Sequence, residues 1–200
     1  MFLKYLWQIL TEPGTAWRHI KEQDWTITEL YLNVIIPLAL ISPVAGYVGT
    51  TRFGWKIGAG EAIKLTVGSA LPISIALFLA ILVSVFVIGR LVHWMSDSYG
   101  EKKPLARCMA LAAYCPAPLF LAGFFQLYPV LWVNFLLGLP PLGYSVYLLY
   151  SGVPVLMEIP AERGFVFASA ILAMCLVVLV GLLVSTVILW SHGLGPAFVD

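Results

Sequence analysis

Apolar residues in this chain do not alternate with polar ones; they run in blocks. Uncharged apolar stretches occupy 30–51, 65–89 and 164–190, and no Asp, Glu, Lys or Arg occurs between Arg107 and Glu158. A helix needs about 20 apolar residues to cross ~30 Å of hydrocarbon, so each of the first three stretches fits one span. The fourth is too long for one. It divides at Gln126-Leu127-Tyr128-Pro129, where two polar-tipped residues precede a proline. Five spans are therefore predicted, at about 30–51, 65–92, 106–126, 130–150 and 165–190. Strands of a membrane barrel would alternate apolar and polar over ~10 residues, whereas the stretch from Ile75 to Val83 is apolar throughout. The expected fold class is an all-α membrane protein with five transmembrane helices.

Proline and glycine punctuate these blocks. Pro37 and Pro43 lie in span 1, which closes on Gly46 and Gly49; Pro72 lies in span 2, and Pro116 and Pro118 lie in span 3. Proline removes a backbone donor and bends a helix, so spans 1 to 4 are expected to be kinked and span 5, which has none, straight. Span 4 carries Gly138, Pro140, Pro141 and Gly143, the strongest candidate for a helix break. Discontinuous membrane helices expose carbonyls and amides that bind ions or substrates; the structural alternative is a kink filled by a neighbouring helix.

Ahead of span 1, Leu3, Leu6, Leu10, Trp17 and Ile20 recur at helical spacing beside Lys4, Arg18 and Lys21, interrupted at Thr11-Glu12-Pro13. This predicts two short amphipathic helices, the second capped by Thr11 with proline in its first turn. They either lie on the inner membrane surface or pack on the protein's own inner loops. The chain divides into an N-terminal amphipathic interfacial segment (1–29), a five-helix membrane domain (30–190) and a short exoplasmic tail (191–200). Glu12, Glu22, Asp24 and Glu29 precede the first long apolar segment, which is not the layout of a cleaved signal peptide.

Composition agrees with the pattern. The chain is 61% hydrophobic and 10% charged, with a mean hydropathy of +0.95, outside the soluble globular range. With the N-terminus inside, Lys4, Arg18, Lys21, Arg90, Lys102, Lys103, Arg107 and Arg163 fall on the inner side, and only Arg52, Lys56 and Lys64 on the outer. The positive-inside rule then predicts an N-in, C-out orientation. The net charge of +1 is scattered, so no nucleic-acid partner is expected. The bilayer is the first partner, followed by other membrane proteins or copies of this chain.

Candidate chemistry is scarce. A charge at the centre of a membrane helix costs roughly 2.5–3.5 kcal/mol on the insertion scale, so it marks function where present. The central thirds of all five spans lack one. That argues against proton relays and against aspartyl proteolysis within the membrane. His93 and Ser96 share a helix face, but they sit beside Arg90 and Asp97 at the end of span 2, where an interfacial cluster is the simpler reading than a catalytic pair. Ser145 lacks the Gly-x-Ser-x-Gly elbow. Cys108, Cys115 and Cys175 form neither a CxxC nor a Cys/His cluster and read as small buried residues. No catalytic residue, cofactor or metal site is expected. Gly54-Trp55-Lys56-Ile57-Gly58 matches GxxxG but lies in a charged loop, which makes it a weak dimer motif. Ala106, Ala110, Ala113 and Ala117 in span 3 permit close packing, within the bundle or between copies.

One segment is more specific. Tyr147-Leu148-Leu149-Tyr150-Ser151-Gly152-Val153-Pro154-Val155-Leu156-Met157-Glu158-Ile159-Pro160 resembles the signature that precedes the last helix of the Yip family of Ypt/Rab-interacting membrane proteins. Pro13 followed by Trp17 and Ile20, and Ala112-Ala113-Tyr114-Cys115-Pro116, are similar to further family segments. The resemblance implies a five-helix fold with a cytoplasmic N-terminus and an exoplasmic C-terminus. In eukaryotes such proteins interact with Rab GTPases and shape or sort vesicle membranes, partly through a long cytosolic N-terminal region. Here that region is short and lacks an Asp-Leu-x-Gly-Pro-like motif, so a Rab-type GTPase is not among the expected partners. The bacterial branch, in the cytoplasmic (inner) membrane, is the closer match.

Physically, Tyr147 and Tyr150 lie one turn apart at an interface that favours amphipathic rings. Gly152 and Pro154 are expected to end the helix, with Met157 and Ile159 dipping into the interface and Glu158 facing water. Tyr147, Tyr150, Gly152, Pro154, Met157, Glu158 and Pro160 then form a candidate docking knob; a turn that only sets the angle between spans 4 and 5 is the alternative. The expected function is non-enzymatic, through protein association or membrane organisation. A passive channel or carrier for a small solute, using the break in span 4 and the proline kinks of span 3, is the second expectation.

Overall fold

A computed structural model describes residues 2–56, 61–98 and 103–199. Gly58 of the GxxxG segment, Lys102 of the inner basic set and Asp200 lie outside the described residues. Two short helices, α1 (Phe2–Thr11) and α2 (Pro13–Glu22), precede five helices long and apolar enough to cross a membrane. These are α3 (Ile27–Phe53), α4 (Val67–Ser98), a divided span made of α5 (Leu105–Tyr114) and α6 (Ala117–Ala122), α7 (Leu131–Met157) and α8 (Ala161–Leu189). Among the described residues the only strand-like pairings are isolated bridges. The protein is an all-α, multi-pass membrane protein.

Local chemistry sets the helix starts. Pro13 opens α2, but Glu12, not Thr11, holds the cap position, and no side chain closes it. Thr11 Oγ1 instead donates back to the Trp7 carbonyl at 3.0 Å, the local bond that threonine forms inside a helix. Thr26 and Glu29 form a reciprocal capping box at the start of α3, which satisfies two otherwise orphaned N–H groups. Within α3 the backbone widens to π-helix over Tyr31–Ile35 and Gly49–Phe53, and Pro43 lies in the α-helical part between them.

The helix break falls in span 3, not span 4. Residues Leu131–Met157 form one uninterrupted helix through Gly138, Pro140, Pro141 and Gly143. Span 3 is interrupted at Cys115-Pro116, resumes as α6, and tightens to a 3₁₀ turn over Gly123–Leu127. Surroundings account for the difference. In hydrocarbon, a lipid-facing break would leave backbone groups without partners, so irregular backbone is tolerated only where protein covers it. Pro140 and Gly143 are exposed, whereas Cys108–Cys115 is buried throughout, with Ala110, Ala113 and Ala117 fully so. Ala110, Ala113 and Ala117 are thus consumed by packing within the bundle, while Ala106 is half-buried. A Cβ on Gly89 of α4 would collide with Met109, and one on Gly123 with Ser42; span 3 is gripped at both levels.

At the far pole the loops knit together. Trp55 and Ile63 exchange two backbone hydrogen bonds, Lys56 N donates to the Pro129 carbonyl at 3.0 Å, and Val199 N donates to the Lys64 carbonyl at 2.9 Å. At the amino-terminal pole, α1 and α2 turn apolar faces into the bundle: Ile9, Ala16 and Trp17 are fully buried and Ile20 is 1% exposed.

Candidate functional site

The Tyr147–Pro160 segment lies at the amino-terminal pole, where α7 ends and turns into α8. Gly152 and Pro154 do not terminate the helix. It runs on to Met157 and ends at Glu158, which adopts a left-handed conformation (φ 56°, ψ 41°), the one positive φ outside glycine among the described residues. Glu158 N–H and Ile159 N–H both reach the Pro154 carbonyl, the latter at 3.3 Å. This is a left-handed C-cap of the kind glycine usually supplies. Span 4 therefore extends to Met157 and span 5 begins at Ala161.

Most of the signature residues meet a named partner. A Cβ on Gly152 would lie 2.6 Å from Trp17 Cε2, so the absent side chain is the seat of the α2 indole. Trp17 Nε1 donates to Ser151 Oγ at 3.2 Å, and Ser151 Oγ donates to the Leu148 carbonyl at 3.1 Å. Tyr150 shares a 2.8 Å hydrogen bond with Ser169 of α8, and its ring lies 5.2 Å from that of Phe165. Pro154 faces Gly164 of α8, where a Cβ would come within 2.8 Å of the proline ring. Met157 is 1% exposed and belongs to the core; it does not dip into the interface. Tyr147 is exposed, its ring tilted against that of Tyr144 at 5.6 Å, and Pro160 is exposed at the start of α8.

Glu158 is exposed and gathers three cations. Its Oε1 lies 2.7 Å from Lys21 Nζ, and its Oε2 lies 2.8 Å from Lys103 Nζ and 3.2 Å from Arg107 Nη1. Hydrogen bonds from Lys103 and then Lys21, outweighing partial desolvation, hold its carboxyl down at about 2. One carboxylate at the end of span 4 so ties α2, the loop before span 3, and α5 itself. The backbone of Lys103 is in turn bonded by His93: Nδ1 lies 2.9 Å from its carbonyl oxygen, which can only accept, so Nδ1 carries the hydrogen. Ser96 Oγ donates to the His93 carbonyl at 2.7 Å and not to the imidazole; the two are not arranged as a catalytic pair.

Sequence reasoning missed Tyr144. Its hydroxyl donates toward the carbonyls of Ile9 and Leu10, at 3.1 and 3.0 Å, which lie in the last turn of α1 where carbonyls lack helical partners. It also missed Trp17, Lys21, Lys103 and Arg107 as partners of the signature; no local pattern joins residues more than fifty positions apart. The second candidate set is not brought together with the first. A Cβ at Gly138 or Gly143 would meet nothing within 4 Å. Among the described residues no group of three metal-ligating side chains forms.

The sequence matches the family model described as Yip1 domain over residues 7–182. Two relatives are each named inner membrane protein YohC, one from Escherichia coli strain K12 and one from Escherichia coli O6:H1 strain CFT073. Each is 36% identical to this chain over 191 residues, covering 96% of this chain and 98% of the relative. No solved structure matches.

Proposed function

Given that the chain belongs to the Yip1 domain family, we propose that it works without catalysis. It acts as a multi-pass protein of the inner membrane, through association with membrane proteins or its own copies and through organisation of the bilayer around it. We place the N-terminus inside and the C-terminus outside, which puts the Glu158 junction at the cytoplasmic face. The carrying observation is where the polar groups of that junction go. Tyr144, Tyr150, Trp17, Ser151 and Glu158 all bond within the chain. The remaining broad surface is apolar: Leu136, Leu139, Val177, Leu183 and Val187 are 58%, 47%, 71%, 60% and 65% exposed. Contacts in the plane of the membrane are therefore what this architecture offers, rather than capture of a soluble ligand by the signature.

The channel reading relied on a break in span 4, where α7 is continuous, and on the proline kinks of span 3, where the interruption at Cys115-Pro116 is covered by protein. The deciding experiment is reconstitution of the purified protein into liposomes. We expect no flux across a broad panel of small solutes, together with self-crosslinking through cysteines placed at Val177 or Leu183, or a change in vesicle morphology. Protein-dependent solute flux would overturn the reading.

A further inference from the structure

Between α4, α5, α7 and α8, where the helix break leaves room, lies an apolar cavity of about 160 Å³. Its floor is closely packed: Ala112, Cys115 and Ile171 are 6%, 8% and 2% exposed. Its rim includes Ser145 and Cys175, both half-buried, and Leu142, which is 48% exposed on the lipid-facing side of α7. The cavity is therefore open to the surface that hydrocarbon covers. It lies near the midpoints of the spans that line it, close to the centre of the bilayer.

The lining decides the occupant. It contains no charged side chain, no amide and no carboxylate, so an ion, a sugar or a phosphate headgroup finds nothing to hold it. Ser74 and Ser84 donate to carbonyls four residues back in their helix. Ser145 does not: its buried oxygen has no hydrogen-bond partner and is the one side-chain oxygen in the lining. A water needs 2–4 polar partners to stay in such a site, and an apolar cavity of roughly 150 Å³ stays dry and takes a benzene-sized guest. The medium beyond Leu142 is lipid tails, and the part of a phospholipid that reaches the bilayer centre is the end of its acyl chain. The geometry points to a binding site for the terminal segment of a phospholipid acyl chain, entering sideways past Leu142 and filling the space opened at Cys115-Pro116. This goes beyond the proposed mode of action and does not depend on it.

The test uses the full-length protein in phosphatidylethanolamine and phosphatidylglycerol liposomes. These carry trace phosphatidylglycerol with a diazirine either at the terminal carbon of one acyl chain or next to its carbonyl. After irradiation, labelled residues are mapped by peptide mass spectrometry. The terminal probe should label residues 112–116, 142–149 and 171–175 roughly tenfold more than the carbonyl-side probe. Filling the cavity by Ala112→Phe should suppress that labelling by about tenfold, because the added volume has nowhere else to go. Labelling of the exposed face at Val177, Leu183 and Val187 should remain unchanged. Ser145→Leu at the rim is the second variant if Ala112→Phe does not yield a monodisperse protein. Labelling that follows surface exposure alone, equal for the two probes and unmoved by the folded filling variant, would overturn the assignment.

Discussion

The two halves of α7 contain the same residue types and use them differently. Gly138, Pro140, Pro141 and Gly143 sit in the first half and Gly152 and Pro154 in the second, all inside one helix. The first-half glycines have no neighbour within 4 Å of a built Cβ, while Gly152 is filled by Trp17 and Pro154 is seated on Gly164. Helix-breaking composition therefore does not specify a break. In the lipid-facing half, continuing the helix is the cheaper course because any opening would strand polar backbone in hydrocarbon. In the second half the same residues are contact surfaces for other helices. One half meets the bilayer; the other holds the protein together.

The sharpest way to break this comparison is to add the same side chain to both halves. Gly152→Leu is expected to lose at least about 3 kcal/mol or to fail to fold, since it drives a branched chain into a buried indole. Gly138→Leu and Gly143→Leu should stay within roughly 0.5 kcal/mol of the parent. Unfolding by sodium dodecyl sulfate in mixed micelles, followed by circular dichroism, measures all three. Combining Gly152→Leu with Trp17→Ala should recover part of the loss, a non-additivity that only direct contact produces.

Next in size is the carboxylate. Glu158→Gln removes the counter-charge of Lys21, Lys103 and Arg107, of which Lys103 is the most buried at 9% exposed. A loss of about 1–2 kcal/mol is expected, kept moderate because the carboxylate itself is partly in water. The sign with pH follows from a depressed folded-state value. The contribution is fully present above the ordinary carboxylate value of 4.5 and is lost as pH falls from there through about 2. Acid titration of stability should therefore show a decline below 4.5 that is shallower in Glu158→Gln; identical acid limbs would remove Glu158 as the source.

Smaller again is the tyrosine pair. Tyr144→Phe deletes the hydroxyl that serves the last carbonyls of α1 and should lose about 1 kcal/mol. Tyr147→Phe, on an exposed ring for which no hydrogen bond is seen, should lose close to nothing. Protection of the α1 amides in hydrogen exchange would fall only in the first variant.

Much of the fold was legible because the bilayer imposes it. Four uncharged blocks, the longest divided by the turn at Gln126–Pro129, account for the five spans. What failed was the reading of glycine and proline as terminators. Gly152 and Pro154 look like a helix end, yet α7 ends at Glu158, a residue type that seldom adopts a positive φ. Pro116 with Pro118, and Pro140 with Pro141, look alike in sequence; only burial, which comes from the finished bundle, decides which pair interrupts its helix. The signature's members were visible through family resemblance. Their partners were not, because Trp17 and Ser151, or Lys21 and Glu158, meet only after the chain has crossed the membrane four times.

The gentlest substitution separates the halves by sign. Glycine inside a helix is less stable than alanine by roughly 0.5–1 kcal/mol, because its unfolded backbone has more freedom to lose. At Gly138 and Gly143 a methyl group enters open space, so Gly→Ala should stabilise by up to about that amount. At Gly152 the same methyl group would stand 2.6 and 2.8 Å from two indole carbons of Trp17. The indole is fully buried and hydrogen-bonded to Ser151, and it has no room to withdraw. Gly152→Ala should therefore destabilise, with the packing loss outweighing the backbone gain. Opposite signs for one chemical change in one helix would show that the halves differ in their surroundings and not in their helical character. A stabilising Gly152→Ala would mean that α2 rests loosely on α7, and the junction would no longer be the element that holds the amino-terminal helices to the bundle.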